Sequence, residues 1–147
     1  RFMNTDKDAV VRTAIWAEHW QAFLRSPLLG YGFGTSEAVN KTLITTTNYG
    51  TLWNIKAILN VYLQWLEQAG IVGAGSMFAV LGLVVLKAVR GALTRSRMTL
   101  VLIGLISLDA VFLVHGATDF ALDAYSMAAM FAYALGLQFT LSQGTAR

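Results

Sequence analysis

The sequence predicts an all-α, multi-pass membrane protein in which an external amphipathic helix and loop precede three transmembrane helices. Three observations carry that expectation. Hydrophobic residues make up 56% of the 147 residues and charged residues only 13%, whereas a soluble domain carries roughly 25% charge. So little charge cannot cover a water-exposed surface. A single proline and the absence of strand-like alternation favour helices. Three long stretches are uncharged or nearly so.

The chain opens Arg1-Phe2-Met3 with no basic-then-apolar leader and no cleavage site, and reads as an interior segment of a longer protein. Cysteine is absent, so neither a disulfide framework nor a thiolate metal site is available, and the redox compartment is not legible. Residues 8–25 predict an amphipathic helix, with Asp8 as N-cap and its charge suited to the helix dipole. Val11, Ile15 and Ala22 form one apolar line. Arg12, Trp16, His19 and Phe23 form another at i, i+4, i+7 and i+11.

Ser26-Pro27 stops this helix, because proline disfavours helical geometry in the residue before it. Gly30-Tyr31-Gly32-Phe33-Gly34 then alternates glycine with aromatics, which suits a tight turn where backbone comes close to another element. No Lys-Ser/Thr pair follows and no parallel-sheet context exists, so this is not a phosphate loop. Residues 36–54 are polar, with Thr45-Thr46-Thr47-Asn48 at their centre, and predict an external loop.

Residues 68–86 carry no charge, residues 98–114 are apolar apart from Asp109, and residues 124–143 are uncharged. A hydrocarbon core of about 30 Å needs about 20 apolar helical residues, so each predicts a span. Buried helices of a large soluble core are the competing reading, but such runs leave little polar surface. Lys87, Arg90, Arg95 and Arg97 lie between the first and second spans with no acid, which makes that connection cytoplasmic. Residues 115–123 hold two acids and no lysine or arginine, which makes them external. Residues 1–67 are therefore expected outside, and residues 68–143 in the membrane. Asp109 lies inside a span, where a charge costs several kcal/mol unless paired or hydrated, so a functional or inter-helix role is the default. The cations show no dense cluster of the kind that tracks a phosphate backbone, and no nucleic acid is expected as a partner.

Four segments occur in order: Arg12-Thr13-Ala14-Ile15-Trp16; residues 26–34, reading SPLLGYGFG; residues 60–73, with Asn60, Gly70 and Gly73 at Asn-x9-Gly-x-x-Gly spacing; and residues 115–122, reading HGATDFAL. Together they resemble the O-antigen ligase and polymerase family of bacterial inner-membrane proteins. The resemblance covers nearly the whole chain and implies the C-terminal portion of a larger membrane protein, with residues 1–67 periplasmic. It implies an all-helical glycosyltransferase that takes a glycan from an undecaprenyl diphosphate carrier and needs no metal or other cofactor. Its partners would be that carrier-linked glycan, the lipid bilayer and other polysaccharide-assembly membrane proteins.

One position departs from the ligase signature. A histidine precedes the asparagine-like residue in that signature, and Leu59 stands there in this chain. Leucine accepts no proton, which favours a polymerase-like reading over a ligase. Glu67, on one face with Asn60 at i, i+7, is the first substitute base, against the alternative of an interface anchor. His115 and Asp119, at i, i+4, form a possible oriented His–carboxylate pair, against a helix-end cap. His19 is read first as a packed or solvated histidine. Arg12 is the first choice for the donor diphosphate because it sits within the family-like Arg-x-x-x-Trp pattern, and a guanidinium matches phosphate oxygens in pairs. Lys56 and Arg25 are further external cations. Trp16 and the other tryptophans stack on sugars or form an interfacial belt. The expected site is thus Glu67, Asn60 and His115 for catalysis, with Arg12, Trp16, Lys56 and Asp119 for substrate. The alternative is a non-catalytic membrane protein, a transporter segment or a degenerate scaffold.

Overall fold

No glycine or proline interrupts residues 2–25, and the chain there is one helix, α1 (Phe2–Arg25). With nothing upstream to break it, the helix runs past Asp8, which lies in its interior and not at the cap expected of it. A computed structural model describes residues 2–94, 98–119, 122 and 124–143, with side chains from residue 8 onward. Arg95, Arg97, Phe120, Ala121, Asp123 and Arg147 lie outside the described residues. After α1 come α2 (Ser36–Leu43), α3 (Tyr49–Leu52), α4 (Val61–Thr94), α5 (Thr99–Gly116) and α6 (Tyr125–Gln143), with no strand among the described residues. The chain is all-α.

It divides into two compact bodies, one of residues 1–75 with 118–120 and one of residues 76–117 with 121–147. In the first body α1 buries Ile15, His19, Ala22 and Phe23, a stripe at helical spacing. Ile15 and Ala22 meet Val39 and Leu43 of α2 and Leu52 of α3 in one apolar cluster, with Trp16, Ile44 and Ile55 packed against it. The segment expected to be a loop thus contains two helices. Its composition is polar, but Ser36, Val39, Asn40 and Leu43 recur every three or four residues, and that face is the buried one.

The helical segment that contains the predicted first span begins before it, because α4 starts at Val61 and has a break at residue 70. Gly70 has φ 63° and ψ −174°, a non-helical backbone at which two helical segments of α4 meet in a kink.

The second body comprises the rest of α4 with α5 and α6. Ala88, Leu102, Phe112, Phe131 and Ala134 are buried, and the Phe112 and Phe131 rings lie 5.1 Å apart. Leu100, Val111, Val114 and Tyr133 point outward and are largely exposed. The buried polar groups here are Asp109 and Gln138. Apolar residues outside and polar ones inside suit hydrocarbon surroundings. Helices α4 and α5 are long and apolar enough to cross a membrane. The apolar runs at residues 98–114 and 124–143 coincide closely with the helices α5 and α6.

A buried histidine–carboxylate pair beside a broken helix

Glu67 lies one turn before the break in α4, and its side chain turns into the first body, fully buried. It meets His19 of α1, also fully buried, with Nδ1 2.5 Å from Glu67 Oε2. The other ring nitrogen faces Asn40 of α2, with Nε2 3.3 Å from Oδ1. Asn40 Nδ2 donates to the carbonyls of Leu52 at 2.8 Å and Ile55 at 3.2 Å. Those two bonds fix the orientation of the amide, so its oxygen faces the ring and Nε2 is the donor. Glu67 Oε1 is buried with no hydrogen-bond partner.

The surrounding polar side chains hold the connection into α4. Trp16 Nε1 donates to the Ile58 carbonyl at 3.0 Å, and the Ile58 N–H donates to Gln64 Oε1 at 3.3 Å. Asn60 caps α4, its Oδ1 accepting the Leu63 N–H at 3.1 Å. Leu59, just before the cap, has φ 58°, the left-handed region that leucine rarely occupies.

The glycine-rich turn docks onto the break itself. Tyr31 N–H donates to the Glu67 carbonyl at 2.9 Å and Gly32 N–H to the Gln68 carbonyl at 2.8 Å. In return, Ile71 N–H donates to the Pro27 carbonyl at 2.8 Å and Val72 N–H to the Leu28 carbonyl at 3.2 Å. Backbone groups that a helix break would strand are thereby satisfied from the turn. The approach leaves no room for side chains. A Cβ on Gly70 would collide with the Leu28 carbonyl, and one on Gly30 would stand 2.5 Å from the Glu67 and Gln68 carbonyls. Gln68 fastens the far side, donating through Nε2 to Ser36 Oγ at 2.6 Å and accepting the Gly34 N–H at 3.3 Å.

An open groove of about 490 Å³ lies between α1 and α4, lined by Thr13, Trp16, Ala17 and Trp20 on one side and Asn60, Tyr62, Leu63 and Leu66 on the other. Three of its polar side chains are engaged elsewhere: Trp16 with Ile58, Asn60 with Leu63, and Thr13 with the α1 backbone. The surface it offers is mainly carbon.

The expected site residues divide accordingly. Arg12, Trp16, Asn60 and Glu67 all belong to the α1–α4 region of the first body. Arg12 is half-buried, and its guanidinium donates to the Thr118 carbonyl. Lys56 is exposed, and its charge contributes to lowering the Glu37 carboxyl, after the larger effects of the hydrogen bond and charge of Lys41. His115 occupies the last turn of α5, while Asp119 lies beyond the helix, which ends at Gly116, so the two do not share a helix face at i, i+4 as expected. His19, read from sequence as a packed or solvated histidine, is packed, and against Glu67. Its i+7 spacing from Arg12 was visible in the sequence; its partner, 48 residues away, was not.

No protein-family model matches the chain, and comparison with curated proteins and with solved structures gives no match.

Proposed function

We propose that the chain belongs to a lipid-carrier-dependent glycan polymerase or ligase-like glycosyltransferase of the bacterial inner membrane, with residues 1–67 on the external face and α4, α5 and α6 as transmembrane helices. One observation carries this reading. Three segments that bear the family resemblance, residues 12–16, 26–34 and 60–73, are separated in sequence and meet in one body. Their glycines at 30 and 70 are spent on the contact between two of them.

The chemistry requires an acceptor hydroxyl oxygen to bond to the anomeric carbon of the donor. The bond from that carbon to the diphosphate oxygen breaks, the diphosphate leaves on its lipid carrier, and the hydroxyl proton goes to a base. Glu67, backed by His19, is the base in this proposal, and Arg12 steadies the leaving diphosphate. Histidine is enriched at left-handed backbone positions relative to leucine, so the φ of 58° at residue 59 is compatible with the histidine of the ligase signature. Its replacement by leucine favours the polymerase over the ligase.

The test is complementation of a polymer-deficient strain with the gene encoding this chain, scoring polysaccharide length. Glu67→Gln retains a hydrogen bond to Nδ1 of neutral His19 while removing the proton acceptor, so it is expected to abolish polymer at normal protein level. Full-length polymer from Glu67→Gln would rule out the base, and from Arg12→Ala would rule out the diphosphate role. A second reading, a non-catalytic membrane protein, is favoured by the complete burial of both Glu67 and His19. It predicts no polymer from the wild-type gene in any such strain.

A further inference from the structure

The turn at residues 26–34 exposes apolar surface without charge. Leu28 is 64% exposed, Leu29 74% and Phe33 68%. No charged residue occurs from Ser26 to Ser36, nor from Gln68 to Leu86. The turn is also continuous with the apolar part of α4, since Pro27 and Leu28 accept the N–H groups of Ile71 and Val72. Ile71 and Val72 are themselves 53% and 60% exposed.

The hydrogen bonding at the break has a second meaning in this setting. In water, a broken helix can leave its polar groups to solvent. In hydrocarbon it cannot, and irregular backbone is tolerated only where other protein groups satisfy it. At Gly70 four such groups, two N–H and two C=O, are covered by the turn. The turn therefore brings exposed leucine and phenylalanine side chains to the same level as the first residues of the apolar helix.

We propose that residues 27–34 form a membrane-inserted wedge, with Leu28, Leu29 and Phe33 in the acyl-chain region of the bilayer beside the start of the α4 apolar segment. The wedge gives the first body a second attachment to lipid and holds the C-terminal end of α1 at the interface. Its partner is lipid hydrocarbon. This rests on α4 crossing the membrane, and the test separates the two claims.

The chain has no cysteine, so single cysteines can be introduced one at a time and spin-labelled in the full chain in proteoliposomes. Labels at Leu29 and Phe33 are compared with one at Leu83, an outward position on α4, and one at Thr46, an exposed polar position. Relaxation by molecular oxygen and by a water-soluble nickel chelate is read at each. The wedge requires that Leu29 and Phe33 resemble Leu83, with oxygen access exceeding nickel access, while Thr46 shows the reverse. Nickel-dominated relaxation at Leu29 and Phe33, with Leu83 still oxygen-dominated, would overturn the wedge and leave the span intact. Low access to both reagents at the turn would overturn it too, because protein and not lipid would then cover the surface. Nickel-dominated relaxation at Leu83 would remove the span and the wedge with it.

Discussion

Each body of this chain buries a carboxylate, and the two are handled differently. In the first, Glu67 meets an ionisable partner, His19, whose far nitrogen is in turn fixed by Asn40. In the second, Asp109 of α5 meets an amide, accepting from Gln138 Nε2 of α6 at 2.6 Å. In both, one carboxylate oxygen is left without a partner, and in the second the amide oxygen of Gln138 is as well. A histidine can take or return a proton; an amide cannot. The first arrangement pairs two ionisable groups across α1 and α4; the second joins α5 to α6 through a carboxylate–amide hydrogen bond.

That contrast can be broken most sharply at Glu67. Truncation by Glu67→Ala leaves His19 buried without its partner, and loss of one member of a buried pair costs about 3–5 kcal/mol. Thermal unfolding of the reconstituted chain should show it, and the double change His19→Leu with Glu67→Met should recover most of the loss. If the double variant is as unstable as the single, the pair is not the source of the effect.

Next in size is Gly70→Ala. A methyl would be forced against the Leu28 carbonyl in a left-handed backbone, for roughly 2–4 kcal/mol from strain and overpacking together. Because the clash is with the turn, protease cleavage at residues 27–34 should rise while the second body is untouched. Unchanged protection of the turn would count against the docking.

At the second carboxylate the expected effect is smaller and depends on shape. Asp109→Ala strands the Gln138 amide for about 1–3 kcal/mol. Asp109→Asn should be close to neutral, since its amide can accept from Gln138 Nε2 and donate to the otherwise unpartnered Oε1. A large loss with asparagine would mean that the charge, not the hydrogen bond, is what this position supplies.

The smallest effect is expected at Asn60. Its side chain caps α4, so Asn60→Ala should cost about 1 kcal/mol, and Asn60→Asp, which keeps the acceptor, should restore it. A much larger loss, or one that aspartate does not repair, would point to a role beyond the cap.

Much of the fold was legible because it follows from local pattern. The apolar runs at residues 98–114 and 124–143 became α5 and α6 almost residue for residue. The stop at Ser26-Pro27 held, and the alternating glycines did mark a close backbone approach. The short helices at residues 36–52 were missed because polar composition masks a four-position buried stripe; only the spacing of Ser36, Val39, Asn40 and Leu43 betrays it. The extended start of α1 was missed because a good capping residue, Asp8, counts for little when nothing upstream breaks the helix. Of the expected site residues, Arg12, Trp16, Asn60 and Glu67 lie in one body, Asn60 caps α4, and His115 and Asp119 do not share a helix.

By itself, then, the sequence determined the helical class, the apolar segments and the tight glycine-rich turn, because these depend on residues near one another in the chain. Tertiary structure alone decided that Glu67 faces His19, that Asn40 fixes the ring's far nitrogen, and that the break at Gly70 is filled by the turn at residues 27–32. Those contacts join groups between 20 and 50 residues apart. No local periodicity encodes them; they follow from which faces the helices must bury against each other and from the need to satisfy each polar group once buried.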